Sequence, residues 1–289
     1  MMDERTRAAI ELYDRFTHEG MDRRDFFARM TRIAGSAAAA NLLIGTIAAS
    51  ADAAPLSNPA DPHLVITKGK LGWGSPLSGY VAAQKSGKKR GLVLVIHENR
   101  GLNAHIEDVA RRVALEGFIA IAPDLLSPVG GTPANEDAAR EAIGKLNLAA
   151  AVSQAIDLGD HARHLRHANG KLGIVGFCWG GAFVNRFAVA AGRKLDAGVA
   201  YYGPAPGPAE AVKVQAPLLL HYAGLDTRVA ATAAPWVAAL KAAHKDVTEF
   251  TYPNVDHAFN NDTSAERYNK PAAELAWSRT IAFLHAHLG

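Results

Sequence analysis

The amino-acid sequence predicts an α/β fold with a mostly parallel central sheet and helices on both faces. From about residue 55 to the C-terminus, short apolar runs alternate with longer stretches of helical periodicity, as they do in repeated β-α units. Residues 91–97 are almost continuously apolar, which is typical of a strand covered on both faces. With 49% hydrophobic and 20% charged residues, a chain of 289 residues can bury one large core.

The elements of this fold can be placed along the chain. The predicted strands, each a short apolar run, are residues 64–67, 78–83, 91–97, 118–122, 171–176, 197–201, 216–221 and 247–252. The predicted helices, each with apolar residues at helical spacing, are 104–116, 148–167, 182–191, 230–243 and 272–288. The first two strands are expected to pair antiparallel, and residues 123–131, rich in Pro and Gly, are expected to form a loop.

Residues 1–53 are predicted to form a leader that precedes this domain. Arg23 and Arg24 stand before a weakly apolar region, and small residues at A-x-A spacing follow it, so cleavage is expected after Ala53. The arginine pair resembles a twin-arginine signal, which a receptor reads. We therefore predict an exported, periplasmic protein with a single catalytic domain over residues 54–289, or a cytoplasmic one if the leader is not processed.

Two other interpretations of the leader stay open, an uncleaved membrane anchor and an amphipathic helix. The apolar region is rich in Ala, Gly, Ser and Thr and contains Asn41, whereas a bilayer span needs about 20 strongly apolar residues. A stable membrane anchor is therefore not predicted. The stretch before the arginine pair is unusually long for a signal, and Met21 is an alternative start.

Charge and cysteine content exclude several classes of function. The formal net charge is only +3, and no basic stripe with interleaved aromatic residues is present, so nucleic acid is not an expected partner. The chain contains one cysteine, which rules out an intramolecular disulfide and any C-x-x-C cluster. His97-Glu98 lacks the second histidine of an H-E-x-x-H zinc helix, because Gly101 stands in its place. No metal and no cofactor are predicted.

The most informative motif surrounds Cys178. It reads Gly-Phe-Cys-Trp-Gly-Gly over residues 176–181, between a predicted strand and a predicted helix. Glycines two residues before and two after the cysteine permit a sharp, strained turn that exposes the side chain above the sheet, as at the nucleophile of α/β-hydrolases. Taken alone, the motif also fits a simply buried cysteine, because free cysteine behaves as a small hydrophobe.

Asp226 and His257 follow in the chain order nucleophile, acid, histidine that the hydrolase triad requires. A base is needed because the thiolate is the nucleophile, and an unperturbed cysteine, with a pKa near ~8.5, is mostly protonated at neutral pH. His257 is the expected base and Asp226 its orienting acid, with the adjacent Asp256 as the competing acid. Glu98 also follows a predicted strand, so these side chains are expected to meet at one edge of the sheet.

Two backbone amides are expected to stabilise the oxyanion of an acyl-transfer reaction. One belongs to Trp179, the residue after the nucleophile, and the other to Asn99, in the loop after the strand that ends at His97. Other histidines are not expected to act in catalysis. His105, on a predicted helix, is expected to be solvated, and His221, near a strand end, either lines the site or packs.

Five motifs extend this pattern from about residue 63 to the C-terminus. They are His97-Glu-Asn-Arg-Gly-Leu, Ala122-Pro-Asp-Leu, Gly176-Phe-Cys-Trp-Gly-Gly, Gly224-Leu-Asp and Asp256-His-Ala-Phe. Together they resemble the dienelactone hydrolase family of α/β-hydrolases, also called carboxymethylenebutenolidases. The resemblance implies the α/β-hydrolase fold and a triad of Cys178, Asp226 and His257. It also implies that Glu98 contacts the thiol and helps to generate the thiolate when substrate binds; pairing of Glu98 with Arg100 is the structural alternative.

The resemblance further implies arginines that hold a substrate carboxylate, for which a bidentate guanidinium is suited. Arg140 and Arg267 are the candidates, and Arg100 is a third possible substrate contact. No arginine immediately follows His257. The aromatic residues expected to line a deep pocket for small aromatic or unsaturated acids are Trp179, Tyr202 and Phe259.

The sequence thus predicts a cysteine hydrolase that cleaves a small-molecule ester or lactone through an acyl-thioester intermediate. A triad fixes acyl transfer without fixing the leaving group, so a thioesterase or peptidase on the same fold is an alternative. A periplasmic ligand-binding protein that has lost turnover is a second alternative, which the complete set Cys178, Asp226 and His257 disfavours.

Overall fold

The structure is a computed structural model that describes residues 4–18, 21–48, 55–72, 74–85, 87–264 and 266–289. Its α-helices are α1 (Glu4–His18), α2 (Arg23–Ala34), α3 (Ala37–Ala48), α4 (Ala104–Leu115), α5 (Glu136–Gly144), α6 (Leu148–Ala162), α7 (Trp179–Ala191), α8 (Thr227–Ala242) and α9 (Lys270–Leu288). Its strands are β1 (Leu64–Lys70), β2 (Ser78–Gln84), β3 (Arg90–Ile96), β4 (Ile119–Asp124), β5 (Ala168–Phe177), β6 (Ala197–Tyr201), β7 (Leu218–Ala223) and β8 (Val247–Tyr252).

The strands form one mostly parallel sheet in the order β1-β2-β4-β3-β5-β6-β7-β8. β2 pairs antiparallel with both β1 and β4, whereas the neighbouring pairs from β4–β3 to β7–β8 are parallel. The predicted antiparallel opening pair and the mostly parallel sheet are both confirmed. Because the parallel strands run in one direction, their carboxyl ends meet at a common edge.

Helices cover both faces of the sheet, as predicted. Successive side chains of β3 point to opposite faces: Leu92 and Leu94 belong to one apolar cluster and Val93 and Val95 to the other. The first cluster is covered by α6, α7 and α8, and the second by α4 and α9. The nearly continuous apolar run of β3 therefore follows from burial on both sides.

One predicted helix is too long. The helix expected over 148–167 ends at Ala162, and β5 begins six residues later. The turn between them is fixed by Arg163, whose guanidinium donates hydrogen bonds to the carbonyl oxygens of Gly170, at 2.7 Å, and Lys194, at 2.8 Å. These partners become neighbours only in the folded chain, so the sequence pattern alone does not mark the helix end.

The N-terminal region forms a unit of three helices. Asp22 caps α2 by accepting hydrogen bonds from the backbone N–H groups of Arg24 and Asp25, so the arginine pair begins a helix. Among the described residues, no helix is long and apolar enough to cross a membrane. The predicted cleavage point after Ala53 lies outside the described residues. Signal processing and export therefore remain predictions.

The turn at Cys178 has the strained geometry that its glycines predict. Cys178 lies between β5 and α7 with φ 56° and ψ −114°, a conformation that L-residues rarely adopt. A Cβ atom on Gly176 would lie 2.2 Å from the carbonyl oxygen of Gly180, and one on Gly180 would lie 2.6 Å from the carbonyl oxygen of His97. Glycine is required at both positions because backbone passes directly against backbone.

We expect Gly176→Ala to lower the free energy of unfolding by about 1–3 kcal/mol or more, because overpacking against backbone cannot be relieved by a side-chain rotation. The matched control is Gly144→Ala on α5, where an added Cβ has no atom within 4 Å. That control should raise the free energy of unfolding by at most about 1 kcal/mol. Urea unfolding of both variants checks the prediction, and equal midpoints would contradict it.

Candidate active site

Four predicted site residues follow four parallel strands and lie together at the edge of the sheet. Glu98 follows β3, Cys178 follows β5, Asp226 follows β7 and His257 follows β8. Glu98, Cys178 and His257 line one cavity, and Asp226 contacts His257 from behind. The predicted convergence of these side chains is confirmed.

Asp226 is the acid that contacts His257. Its Oδ2 lies 2.5 Å from Nδ1 of His257, and both side chains are buried. The carboxylate is held in place because its other oxygen, Oδ1, accepts a hydrogen bond from the backbone N–H of Val229 at 3.0 Å and so caps α8. The helix cap fixes the acid, and the acid fixes the imidazole ring. The geometry favours Asp226 over the competing Asp256.

The histidine is held in its charged form by its two partners. Burial alone would lower the pKa of His257, but attraction to Cys178 and hydrogen bonds with Asp226 and Cys178 raise it to about 10. The contact with Asp226 occupies Nδ1, which leaves Nε2 as the ring nitrogen on the Cys178 side. In turn, the hydrogen bond and charge of His257 lower the pKa of Asp226 despite its burial. The site can therefore hold an imidazolium between Asp226 and Cys178.

Cys178 stands at the N-terminus of α7 and is 5% exposed. A helix N-terminus favours a nearby negative charge. Trp179 is the first residue of α7, where backbone N–H groups have no acceptor within the helix. Asn99 lines the cavity beside Cys178. Both residues expected to supply oxyanion donors thus lie next to the sulfur.

Glu98 lines the cavity and is held there by Asn261. Its Oε2 accepts a hydrogen bond from Nδ2 of Asn261 at 2.9 Å, whereas Arg100 forms an ion pair with Glu136 at 3.1 Å. The other oxygen, Oε1, is buried without a hydrogen-bond partner among the described residues. A buried carboxylate oxygen that faces a cavity is available to a thiol or to a ligand.

Two polar residues of the site carried no signal in the sequence. Asn261 positions Glu98 across 163 residues of chain. Arg228 places Nη2 3.4 Å from Nδ1 of His257 and 3.9 Å from Oδ2 of Asp226. Neither residue lies in a motif with a fixed spacing, so both become visible only through the fold.

The three candidate arginines all line the cavity. Arg100, Arg140 and Arg267 surround the side on which Cys178 opens. Tyr13 and Thr17 of α1 line it as well, which the sequence did not indicate. With α1 in place, the enclosed volume is only about 30 Å³.

The aromatic residues predicted to contact substrate do not line this cavity. Tyr202 and Phe259 are fully buried, and the Tyr202 ring packs edge-on against His257 at 5.0 Å between ring centroids. Phe259 packs against Tyr202 and Tyr252. The Trp179 ring stacks on His97 at 5.6 Å. These aromatic side chains pack beneath the cavity, and the prediction that they form its wall is wrong.

Two histidines outside the triad differ from simple surface residues. His105 is buried and forms an ion pair with Asp262 at 2.7 Å, so the expectation that it is solvated is wrong. Its position on the inner face of α4, opposite this carboxylate, explains the burial. His221 packs in the core between Tyr252 and Thr280, and burial lowers its pKa to about 3.

Comparison with known proteins agrees with this geometry. The model of the family described as "Dienelactone hydrolase family" matches residues 77–288, which include Cys178, Asp226 and His257. The chain belongs to the dienelactone hydrolase family. The family predicted from the five motifs is thereby confirmed, and with it the α/β-hydrolase fold. The reaction class follows: the protein is a hydrolase that acts on ester bonds.

Individual members of the dienelactone hydrolase family match along most of their length. A Yersinia pestis protein provisionally assigned as a carboxymethylenebutenolidase is 33% identical over 211 residues, which cover 68% of this chain and 78% of that protein. A protein with the same assignment from Saccharolobus solfataricus is 32% identical over 247 residues, which cover 73% of this chain and 94% of that protein. The crystal structure of a provisionally assigned dienelactone hydrolase from Klebsiella pneumoniae has a TM-score of 0.69 at 29% identity, covering 77% of this chain and 98% of that one.

We expect the His257 ring to stay protonated through neutral pH and to titrate near pH 10. Because its pKa in the folded state lies above the ordinary value of 6.5, the associated stability is fully present below pH 6.5 and is lost as the pH rises through about 10. NMR of histidine-labelled protein, with His257→Gln for assignment, measures the midpoint.

Two substitutions should lower this midpoint, Asp226→Asn and Cys178→Ser, since an amide and a neutral hydroxyl cannot replace the charges of the wild-type side chains. Asp256→Asn is the matched control and should leave it near 10. A wild-type midpoint near 6.5 would contradict the charged arrangement.

Proposed function

We propose that the protein is a cysteine-dependent hydrolase of small esters or lactones that works through an acyl-thioester intermediate. The observation that supports this function most directly is the alignment of Asp226, His257 and Cys178 at the edge of the sheet, with His257 in contact with both partners. A nucleophile, a base in contact with it and a third group that orients the base are the elements of covalent acyl transfer.

In the first step, the Cys178 thiolate attacks the carbonyl carbon of the substrate and forms a carbon–sulfur bond. The carbonyl oxygen becomes an oxyanion, which the backbone N–H groups of Trp179 and Asn99 stabilise. Collapse of this intermediate breaks the carbon–oxygen bond of the ester. The leaving oxygen takes the proton from the His257 imidazolium, and the acyl group stays on sulfur.

In the second step, water attacks the thioester carbon while neutral His257 accepts its proton. The carbon–sulfur bond breaks, the carboxylic acid product leaves, and thiolate and imidazolium are restored. Asp226 remains ionised throughout, because its role is to hold the ring and to stabilise the imidazolium. The reaction consumes only ester and water, so no cofactor is involved.

Glu98 is proposed to control the thiol rather than to attack substrate. A carboxylate beside a thiolate disfavours both charges. The hydrogen bond from Asn261 holds Glu98 in the cavity that Cys178 lines. From this position, its carboxyl group can hold a proton that would otherwise sit on the sulfur, which leaves Cys178 as the thiolate that attacks the substrate.

We expect Cys178→Ala to reduce hydrolysis of dienelactone and of short aryl esters by about 10³-fold or more, because removal of a triad nucleophile leaves only binding and the oxyanion hole. In a rapid-quench experiment, intact-mass spectrometry should detect one acyl group on wild-type protein and none on Cys178→Ala. Cys178→Ser, an isosteric control, should acylate far more slowly. Unchanged turnover in Cys178→Ala would rule out this nucleophile.

The two acids near His257 provide a second test. Asp226→Asn should reduce kcat by roughly 10²–10⁴-fold, since an amide no longer holds the correct tautomer or stabilises the imidazolium. Asp256→Asn makes the same atomic change at the residue next to His257. Asp256 is half-buried and lies outside the contact between Asp226 and His257, so this variant should retain activity within about threefold. Steady-state kinetics at neutral pH compares them, and the reverse ranking would assign the acid to Asp256.

A further inference from the structure

Helix α1 closes the mouth of the active site. Tyr13 and Thr17, both on α1, line the same cavity as Cys178 and His257. The enclosed volume of about 30 Å³ holds only one or two water molecules, since each needs roughly 10–15 Å³. Pockets for small molecules typically enclose about 300–1,000 Å³. A cavity of this volume is too small to hold an ester or lactone while α1 stays in place.

Side chains of α1 form hydrogen bonds with two of the arginines that are candidates for binding a substrate carboxylate. Asp14 Oδ1 accepts a hydrogen bond from Nη1 of Arg267 at 2.9 Å, and these side chains are 14% and 9% exposed. The hydroxyl of Tyr13 accepts one from Nη1 of Arg140 at 3.2 Å. The Arg267 guanidinium also lies 5.8 Å from the centre of the Tyr13 ring. Helix α1 therefore presents a carboxylate and a ring where a substrate would present its own.

The three N-terminal helices carry their own small core. Ile10, Phe26 and Met30 belong to an apolar cluster whose described members all lie on α1, α2 and α3 or between them. The two apolar clusters of the sheet contain none of these residues. The unit is therefore attached to the catalytic domain by polar side-chain contacts, including an exposed ion pair of Arg23 with Asp137 at 2.8 Å.

The ion pair of Asp14 with Arg267 contributes little net stability to the closed state. Burial raises the pKa of Asp14, even though Arg267 and His257 act in the opposite direction. Much of the attraction between Asp14 and Arg267 is therefore offset by the desolvation of both charges. Breaking the pair by removing one partner is nevertheless costly for the closed state, because the remaining charge stays buried without compensation.

We propose that α1 is a built-in inhibitor of the hydrolase: it seats Asp14 against Arg267 and Tyr13 against Arg140, and substrate reaches Cys178 only when α1 leaves. The inference rests on the proposed function, in which Cys178 is the nucleophile. Removal of residues 1–53 at the predicted cleavage point would remove α1 together with α2 and α3. Reversible undocking would open the same route in the intact chain.

The test uses alkylation of the full chain, in which every reacting thiol is Cys178 because no other cysteine is present. Two neutral reagents are compared, iodoacetamide and a bulky pyrene-linked iodoacetamide. The ratio of their rate constants reports access to the sulfur, since both reagents meet the same fraction of thiolate and a change in thiol ionisation cancels. Because both reagents are neutral, neither rate depends on attraction to the arginines of the cavity.

We expect Asp14→Ala to raise the bulky-to-small ratio about tenfold or more, because it leaves Arg267 buried without its partner and releases α1. Glu11→Ala is the matched control: it removes an exposed carboxylate from the same helix and should leave the ratio unchanged. The double variant Asp14→Arg with Arg267→Asp restores opposite charges and should lower the ratio again. Equal ratios in the parent chain, Asp14→Ala and Glu11→Ala would overturn the proposal.

Ester hydrolysis by the same variants separates this proposal from the proposed function. Asp14→Ala should raise kcat/KM for aryl esters together with the alkylation ratio. A raised ratio with no hydrolysis by any variant would retain the inhibitor and reject the hydrolase mechanism. Hydrolysis that requires Cys178 but is unchanged by Asp14→Ala would retain the mechanism and reject the inhibitor.

Discussion

A charged imidazole held between Asp226 and Cys178 is the interaction on which the rest of the site depends. These two residues raise the pKa of His257 against the effect of burial, and each of them stands at the N-terminus of a different helix. Removing either side chain would leave the imidazolium buried with incomplete compensation, which is costly. The three residues therefore act as one electrostatic unit, and changes at any one of them alter the other two.

The backbone of the sheet edge makes this unit possible. The turn at Cys178 brings the sulfur above the sheet only because Gly176 and Gly180 allow backbone atoms to pass within contact distance. Burial of Tyr202 and Phe259 then supports the His257 loop from below. Strain at the cysteine is retained because the surrounding packing offers the turn no other conformation.

The parts of the molecule that could be predicted are those whose physical requirement is local. The strand, turn and helix around Cys178 leave a signature in glycine spacing, and the continuous apolar run of β3 reports burial on both faces. The order of Asp226 and His257 along the chain predicts their position near Cys178, because each follows a strand of the same parallel sheet. The family resemblance rests on these same local patterns.

The contacts that could not be predicted join residues that lie far apart in the sequence. Asn261 meets Glu98, and Asp14 meets Arg267, only after the chain folds, and no spacing rule connects either pair. His105 was expected to be solvated because the helix pattern does not show that the fold places the carboxylate of Asp262 opposite this ring. The aromatic residues near strand ends were placed on the wrong side of the catalytic residues, since the sequence does not say whether a ring faces the cavity or the core.

The separate core of the three N-terminal helices has a consequence for how this chain can vary. A substitution within that core would change how firmly the helices hold together without repacking the sheet, because the described apolar clusters share no residues. The Klebsiella pneumoniae structure aligns over 98% of its length with only 77% of this chain. Three N-terminal helices with a core of their own can thus vary in sequence while the sheet beside them keeps its packing.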